Sequence, residues 1–178
     1  LIRHFLQVLI GTNCPDIILI DKLDPSNLKD LLRAHVLQSK STNTVSEGFG
    51  VINFNHLLIR KVATTSDIKQ NLFFIGHERT VFNHDLSTQL GLPASLNYEG
   101  DAAKYVGIVS CEMLDSNVSQ ERNRFLLNKD DWELIQSASV DAAKEFLSKY
   151  IDASKREKVE SLRSVITSKP SFKLVVSN

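Results

Sequence analysis

The apolar run KYVGIVSCEML, residues 104–114, constrains the fold of this chain more than any other stretch. So apolar a segment is typical of a β-strand that is covered on both faces, in the middle of a sheet. Neighbouring strands and packing helices must therefore come from the rest of the chain. The run predicts a layered structure with this segment as its central strand.

Strand patterns and short helix patterns alternate through the first two thirds of the sequence. Residues 16–21 read as a short buried strand, and residues 49–62 as a long strand with alternating apolar side chains. Residues 71–75 and 79–82 read as two strands joined by a tight turn. Residues 38–48 are polar without periodicity and are predicted to be a loop. The pattern predicts an α+β fold, with a mixed four-stranded sheet, helices on one face and C-terminal helices.

Four helices are predicted around this sheet. Residues 1–10 are predicted to form an apolar helix that is either buried or packs on a neighbour, and residues 24–36 a short helix with Asp24 as its N-cap and Pro25 at its first position. Residues 131–151 and 152–166 follow near the end of the chain, and Asp130 with Glu133 forms a plausible capping pair. The predicted inward stripe of the third helix is Ile135, Ala138, Ala142, Phe146 and Tyr150, and the thinner stripe of the fourth is Val159, Leu162 and Ile166. We expect an α/β domain over residues 1–128 and a helical extension over residues 129–178.

Composition disfavours several classes of function. Lys plus Arg and Asp plus Glu are equal at 21 each, so the chain lacks the net positive field of nucleic-acid-binding proteins. No apolar run approaches the length that spans a membrane. Cys14 and Cys111 stand far apart, as expected of buried thiols in the reducing cytoplasm, and the five histidines form no metal-binding motif. The chain has neither an initiator Met nor a cleavage site, and we expect it to be part of a longer protein.

The segment LDSNVSQERNRF, residues 114–125, follows the central strand and is more polar than a turn requires. Asp115 and Asn117 can bond to nearby backbone and hold an irregular turn, and Ser119 can cap a helix that starts at the next residue. Arg122 and Arg124 remain unexplained by these roles. Their guanidinium groups suit the charge of a transferring phosphoryl group, or they are surface residues paired with nearby carboxylates.

Three motifs, in this order, resemble the transducer domain of the GHKL ATPases, the superfamily of gyrase B, HSP90 chaperones, histidine kinases and MutL. The first is HFL with CPDIILID, similar to the helix and strand that follow the nucleotide-binding domain in bacterial HSP90-like ATP-binding proteins of poorly defined function. The second is NLFFIGHERTVF, similar to the FVNGRxV hairpin of MutL, with Arg79 in the matching place. The third is YVGIVSCEMLDSNVSQERNRF, which looks like the chaperone's LPLNVSRE and MutL's VDVNVHPxKxEVRF.

The resemblance implies a ribosomal-protein-S5-domain-2-like fold, which includes a left-handed crossover, and a role in an ATPase. In that superfamily a basic residue after this strand reaches the γ-phosphate of a nucleotide held by the N-terminal ATPase domain. The chaperone pattern places it at Gln120 and the MutL pattern near Glu121 or Arg122, so this role belongs to Arg122, with Arg124 behind it, or to Gln120, or is lost.

The superfamily's ATP-binding motifs, ExxxN and DxGxG, are absent from this chain. ATP and Mg²⁺ would therefore be cofactors of the parent protein and not of this part alone. The implied partners are the N-terminal ATPase domain of the same protein and, as a candidate, a second copy of the chain. The alternative function is a non-catalytic interaction module that docks through the helices 131–151 and 152–166.

Overall fold

A computed structural model of the chain describes residues 17–20, 25–46, 48–61 and 69–168. The predicted helix over residues 1–10, Cys14, Asp24 and Val62 lie outside the described residues. The elements in chain order are β1 (Ile18–Ile20), β2 (Pro25–Asn27), α1 (Leu28–His35), β3 (Val36–Ser46), β4 (Gly50–Arg60), β5 (Asn71–Gly76), β6 (Arg79–Asp85), β7 (Leu96–Tyr98), β8 (Asp101–Ser110), α2 (Glu112–Ser116) and α3 (Lys129–Ser168).

Six strands form one mixed sheet with β8 in its interior, which confirms the predicted α+β class and a central strand. The strand predicted over residues 104–114 is shorter at its end, because β8 stops at Ser110 and Glu112 begins α2. The order is β3-β4-β8-β5-β6, and β7 also pairs with β8. β8 runs antiparallel to β4 from Asn53↔Ser110 to Arg60↔Ala103, and parallel to β5 from Asn71↔Val106 to Phe74↔Val109. The sheet has six strands where the sequence indicated four, because β3 and the short β7 were not recognised. β1 and β2 form a separate antiparallel pair, and Ile18 is 57% exposed rather than buried.

Side chains that alternate along the strands create two cores, one on each face of the sheet. The larger core joins the sheet to α3, where buried Ile135, Ala143 and Leu147 pack with Phe54 and Phe74. The smaller core lies beneath α1 and contains Leu32, Leu57, Phe73, Ile75, Val106 and Ile108. Of the predicted inward stripe of the first C-terminal helix, Ile135 and Tyr150 are buried, whereas Ala138, Ala142 and Phe146 are half-buried beside the core. The buried face of the helix runs through Ser139, Ala143 and Leu147, so the prediction was displaced toward its edge. α1 adds a helix on the second face.

The two predicted C-terminal helices are one continuous helix, α3, of 40 residues. At about 1.5 Å per residue it is about 60 Å long. The expected break near residue 152 does not occur because the junction contains neither Gly nor Pro. The hydroxyl of Ser154 donates to the carbonyl of Gly91 at 2.9 Å and fixes the helix to the turn before β7. None of the described helices combines the length and apolar character that crossing a bilayer requires.

The predicted polar loop over residues 38–48 is wrong, since most of it belongs to β3. Every residue of β3 is half-buried or exposed, which removes the alternation that marks a strand in the sequence.

The caps of two helices lie at other residues than the sequence predicted. α1 is capped by Asn27, whose side chain accepts from the backbone N–H of Lys29, and the start of α3 by Asn128, which accepts from that of Asp131.

Candidate functional site

The tip of the β5–β6 hairpin is held by a side chain from α2, the short helix that follows β8. His77 and Glu78 form its two-residue turn, with φ of 46° and 64°. Turns of this hand favour Asn and Gly, so these two residues carry backbone strain. The backbone N–H of His77 donates to Asp115 Oδ1 at 2.7 Å. Asp115 is therefore a positioning residue for the hairpin, which is a more specific role than the local turn that the sequence predicted.

Gly76 allows the hairpin to lie directly on the segment that follows α2. A Cβ at this position would lie 2.2 Å from Val118 Cγ2 and 3.2 Å from Phe125 Cε1. Val118 and Phe125 form an isolated antiparallel bridge. Two motifs that are about 40 residues apart in the sequence are thus packed together. The side chains of Val118 and Phe125 occupy the space that a side chain at Gly76 would need.

Residues 118–125 form a small closed turn, here called the 118–125 loop. The prediction that Ser119 caps a helix is wrong, because residues 120–124 contain no helix. Instead, the backbone N–H of Ser119 donates to the carbonyl of Arg124 at 2.9 Å, and that of Arg122 to the carbonyl of Ser119 at 2.8 Å. The buried hydroxyl of Ser119 accepts from the backbone N–H of Asn123 and donates to Asn123 Oδ1. These bonds bring the chain back to Phe125. Residues 118–125 therefore form a short hairpin with a turn in place of the predicted helix.

Asn117 fixes the base of this loop, as a loop-structuring residue would. Its side-chain nitrogen donates to the carbonyl of Met113 at 2.9 Å, and its own carbonyl accepts from the backbone N–H of Leu126 at 2.7 Å. Asn117 and Ser119 form local bonds of the kind that their residue types indicated, whereas the side chain of Asp115 bonds to the distant His77. The polar character of the segment is mostly explained by these contacts.

The three candidate phosphate-sensing residues lie on the exposed side of the 118–125 loop. Gln120, Arg122 and Arg124 are all exposed. Arg122 has a φ of 54°, so its backbone is left-handed. Among the described residues, neither guanidinium lies within ion-pair distance of a carboxylate, and the expected pairing with Glu121 or Asp115 is not formed. Arg79, the first residue of β6, is also exposed. Arg79 belongs to the β5–β6 hairpin, which packs on the 118–125 loop at Gly76.

A polar cleft of about 660 Å³ lies beside the hairpin turn, and sequence reasoning did not find it. Its lining residues are Asn53, His77, Glu78, Ser110, Cys111, Glu112 and Asp115. Burial raises the pKa of the Cys111 thiol, which is 4% exposed, so the thiol stays protonated and is a poor nucleophile. In the described part of the chain, no group of three or more His, Cys, Asp or Glu residues is arranged to hold a metal ion.

The most perturbed histidine is structural. His56 is 1% exposed, and its ring nitrogens hydrogen-bond to the hydroxyls of Tyr105 at 2.8 Å and Thr42 at 3.1 Å. Its ring stacks on Phe146 of α3 with centroids 5.0 Å apart. Burial, and then the charge of Lys40, lower the pKa of His56 to about 4, so the imidazole is neutral at pH 7. It joins the sheet to α3 and has no access to a substrate.

The geometry thus provides one exposed cationic turn, anchored to a hairpin and to the end of the central strand, beside a polar cleft. It contains no activated nucleophile among the described residues. Comparison with models of protein families, with curated proteins and with solved structures found no match.

Proposed function

We propose that this chain is the transducer-like middle domain of a GHKL-type ATPase. It would couple ATP binding and hydrolysis in an N-terminal domain to a change in domain arrangement. The order of the three sequence motifs supports this proposal. The observation that carries it is the exposed Arg122 on a loop that is bonded at its base and packed on the hairpin of the second motif.

Arg122 would act on the γ-phosphate of a nucleotide held by the neighbouring domain. A guanidinium keeps its charge at all physiological pH values and presents several donors in a fixed plane. The 118–125 loop would hold the guanidinium of Arg122 in position before the phosphate arrives. A cation on a rigid loop loses little conformational freedom when it meets the phosphate. A cation of this kind can contribute on the order of 10³-fold to the rate of phosphoryl transfer.

The same contacts offer a route for coupling. A displacement of the 118–125 loop would move the Val118–Phe125 bridge, which contacts the hairpin at Gly76. It would also move Asp115, which holds the hairpin turn and belongs to α2 at the end of β8. Since β8 pairs with three strands, a change at the loop would reach the whole sheet.

In this proposal ATP and Mg²⁺ are bound by the partner domain and not by this chain. The ExxxN and DxGxG motifs are absent here, and the described residues include no metal-holding cluster. The chain would supply the guanidinium and the loop that orients it, whereas the partner domain would bind the nucleotide and its metal ion.

The test is steady-state ATP turnover, measured beside nucleotide binding, in a protein that joins this chain to its nucleotide-binding domain. Arg122→Ala is expected to lower turnover by roughly 10²-fold or more while nucleotide affinity and folding are largely kept. Arg124→Ala and Gln120→Ala are measured beside it, because both residues are exposed candidates on the same loop and a larger loss in either would move the role to that residue. Unchanged turnover in Arg122→Ala contradicts the role of this arginine.

A second candidate is a non-catalytic interaction module that docks through the far half of α3. The exposed apolar side chains Val159 at 48% and Leu162 at 62% favour it. The two candidates are separated by the sequence that precedes this chain in its gene. ExxxN and DxGxG motifs there support the ATPase proposal, and their absence supports the interaction module.

A further inference from the structure

Trp132, in the first turn of α3, lies where the 118–125 loop and the β5–β6 hairpin meet the helix. The centroid of its ring is 5.6 Å from that of Phe125 in the loop, 5.0 Å from that of Phe74 on β5 and 5.2 Å from that of Phe82 on β6. Centroid separations of about 4.5–7 Å are favourable for aromatic pairs. One side chain of the helix therefore contacts both the loop and the hairpin.

Phe125 is the closing residue of the loop that carries Arg122. It bridges to Val118 across the base of the loop, and its ring lies close to the hairpin at Gly76. Arg122 is three positions earlier in the chain. Trp132 and the hairpin thus both contact the residue that ends the turn, and a shift of Phe125 would move that turn.

The exposed part of the loop depends on these few contacts. Residues 120–124 are all exposed, whereas Ser119 is buried and Val118 and Phe125 are half-buried. The turn is therefore held by its own hydrogen bonds and by the packing of its two ends. Loss of a side chain that packs on Phe125 should loosen the loop more than it loosens the core.

α3 is a rigid support for this contact. Its start is fixed by Asn128, whose side-chain oxygen accepts from the backbone N–H of Asp131 at 2.8 Å. Further along, Leu147 is fully buried against the sheet, and Ser154 bonds to the carbonyl of Gly91. A site supported by a packed helix is held more precisely than one on a loop alone.

We propose that Trp132 is a positioning residue for Arg122: it holds Phe125 and so fixes the turn that presents the guanidinium. This inference rests on the proposed function and extends it to a residue of α3, which acts through the loop and not on the phosphate. The placement of a reacting group matters because a displacement of about 1 Å can cost on the order of 10²-fold in rate.

The first measurement is ATP turnover in a protein that joins this chain to its nucleotide-binding domain. Trp132→Ala is expected to lower kcat by about 10-fold and to leave KM for ATP within about twofold, since the loss is in the alignment of Arg122 and not in nucleotide binding. Trp132→Phe keeps a ring against Phe125 and is expected to recover most of the activity.

Phe146→Ala is the matched control for general damage to α3. Like Trp132, Phe146 is a half-buried aromatic residue of the helix that packs against the larger core. It lies 14 positions further along the helix, which is about 21 Å away from the loop. This variant is expected to keep kcat unchanged, although it also removes an aromatic ring from the core.

The second measurement needs no ATPase activity. Hydrogen exchange at the backbone N–H of Ser119, which bonds to the carbonyl of Arg124, reports opening of the loop in the 178-residue chain. Trp132→Ala is expected to speed this exchange by about 10-fold, and Phe146→Ala to leave it unchanged. Trp132→Leu takes the place of Trp132→Ala if the latter does not fold.

The two measurements separate this inference from the proposed function. If Arg122→Ala leaves turnover unchanged, the proposed function fails, and exchange at Ser119 still decides whether Trp132 holds the loop. Three results overturn the role of Trp132: unchanged exchange at Ser119 in Trp132→Ala, equal effects of Trp132→Ala and Phe146→Ala, and wild-type kcat in Trp132→Ala where Arg122→Ala is impaired.

Discussion

The backbone N–H of His77 donates to Asp115 Oδ1 at 2.7 Å, and this bond joins the tip of the β5–β6 hairpin to α2. The two residues are 38 positions apart, one in the turn between β5 and β6 and the other in the helix that follows β8. The bond holds a turn whose two residues both have positive φ. Together with the packing of Gly76 on Val118, this bond fixes the hairpin beside the 118–125 loop.

Asp115→Ala removes this acceptor and leaves the N–H of His77 without its partner. We expect the free energy of unfolding to fall by about 1–2 kcal/mol, the usual cost of a lost hydrogen bond to a charged acceptor. Asp115→Asn is the control because its amide oxygen can still accept. Urea denaturation of both variants measures the difference, and equal stability of the two would show that the bond contributes little.

Gly76→Ala tests the close approach of the hairpin to the loop. The added Cβ would lie 2.2 Å from Val118 Cγ2, so something must move. We expect a loss of roughly 1–3 kcal/mol in unfolding free energy. Val118→Ala removes the clashing methyl group, so the double variant should lose less than the sum of the two single variants. Additive losses in this double-mutant cycle would contradict the packing of Gly76 on Val118.

Stability should depend on pH through His56. Its folded pKa of about 4 lies below the ordinary value of 6.5, so the unfolded chain binds more protons between these values. The stabilisation from the neutral, buried ring is therefore complete above pH 6.5 and declines as pH falls toward 4, by at most about 3 kcal/mol. The charges that face the ring are Lys40 and Glu145.

His56→Phe keeps an aromatic ring against Phe146 and cannot titrate. It is expected to be less stable than the wild type at pH 7, because the hydroxyls of Tyr105 and Thr42 lose their partner. Its unfolding free energy should change less between pH 7 and pH 5 than that of the wild type. Thermal or urea unfolding of both proteins at the two pH values gives the comparison. If the unfolding free energies of wild type and variant change equally with pH, His56 is not the cause of the pH dependence.

The central strand was predictable because the buried part of such a strand is mostly apolar, as residues 105–109 are. The edge strand β3 was not, since its two exposed sides carry no periodic pattern. Asn117 and Ser119 were identified as loop residues because short polar side chains bond to nearby backbone. The bond of Asp115 to His77 was not foreseen, because it joins residues 38 positions apart that meet only when the hairpin packs beside α2.

Arg122→Gly can separate the function of this residue from its effect on folding. The φ of 54° disfavours a residue with a side chain and suits glycine, so the substitution should keep stability within about 0.5 kcal/mol of the wild type or raise it. Arg124→Gly, on the same loop, lacks this benefit because Arg124 has no positive φ. Urea denaturation measures both, and a larger loss in Arg122→Gly than in Arg124→Gly would argue against the left-handed backbone.

The two halves of α3 should respond differently to the same substitution. Leu147 is fully buried in the larger core, whereas Leu162 is 62% exposed. Leu147→Ala is expected to cost about 2–5 kcal/mol of unfolding free energy, because it leaves a cavity between helix and sheet. Leu162→Ala should cost less than about 0.5 kcal/mol, as is usual for surface positions. Urea denaturation compares them, and a large cost at Leu162 would mean that this half of the helix is covered in solution, by a second copy or by another part of the chain.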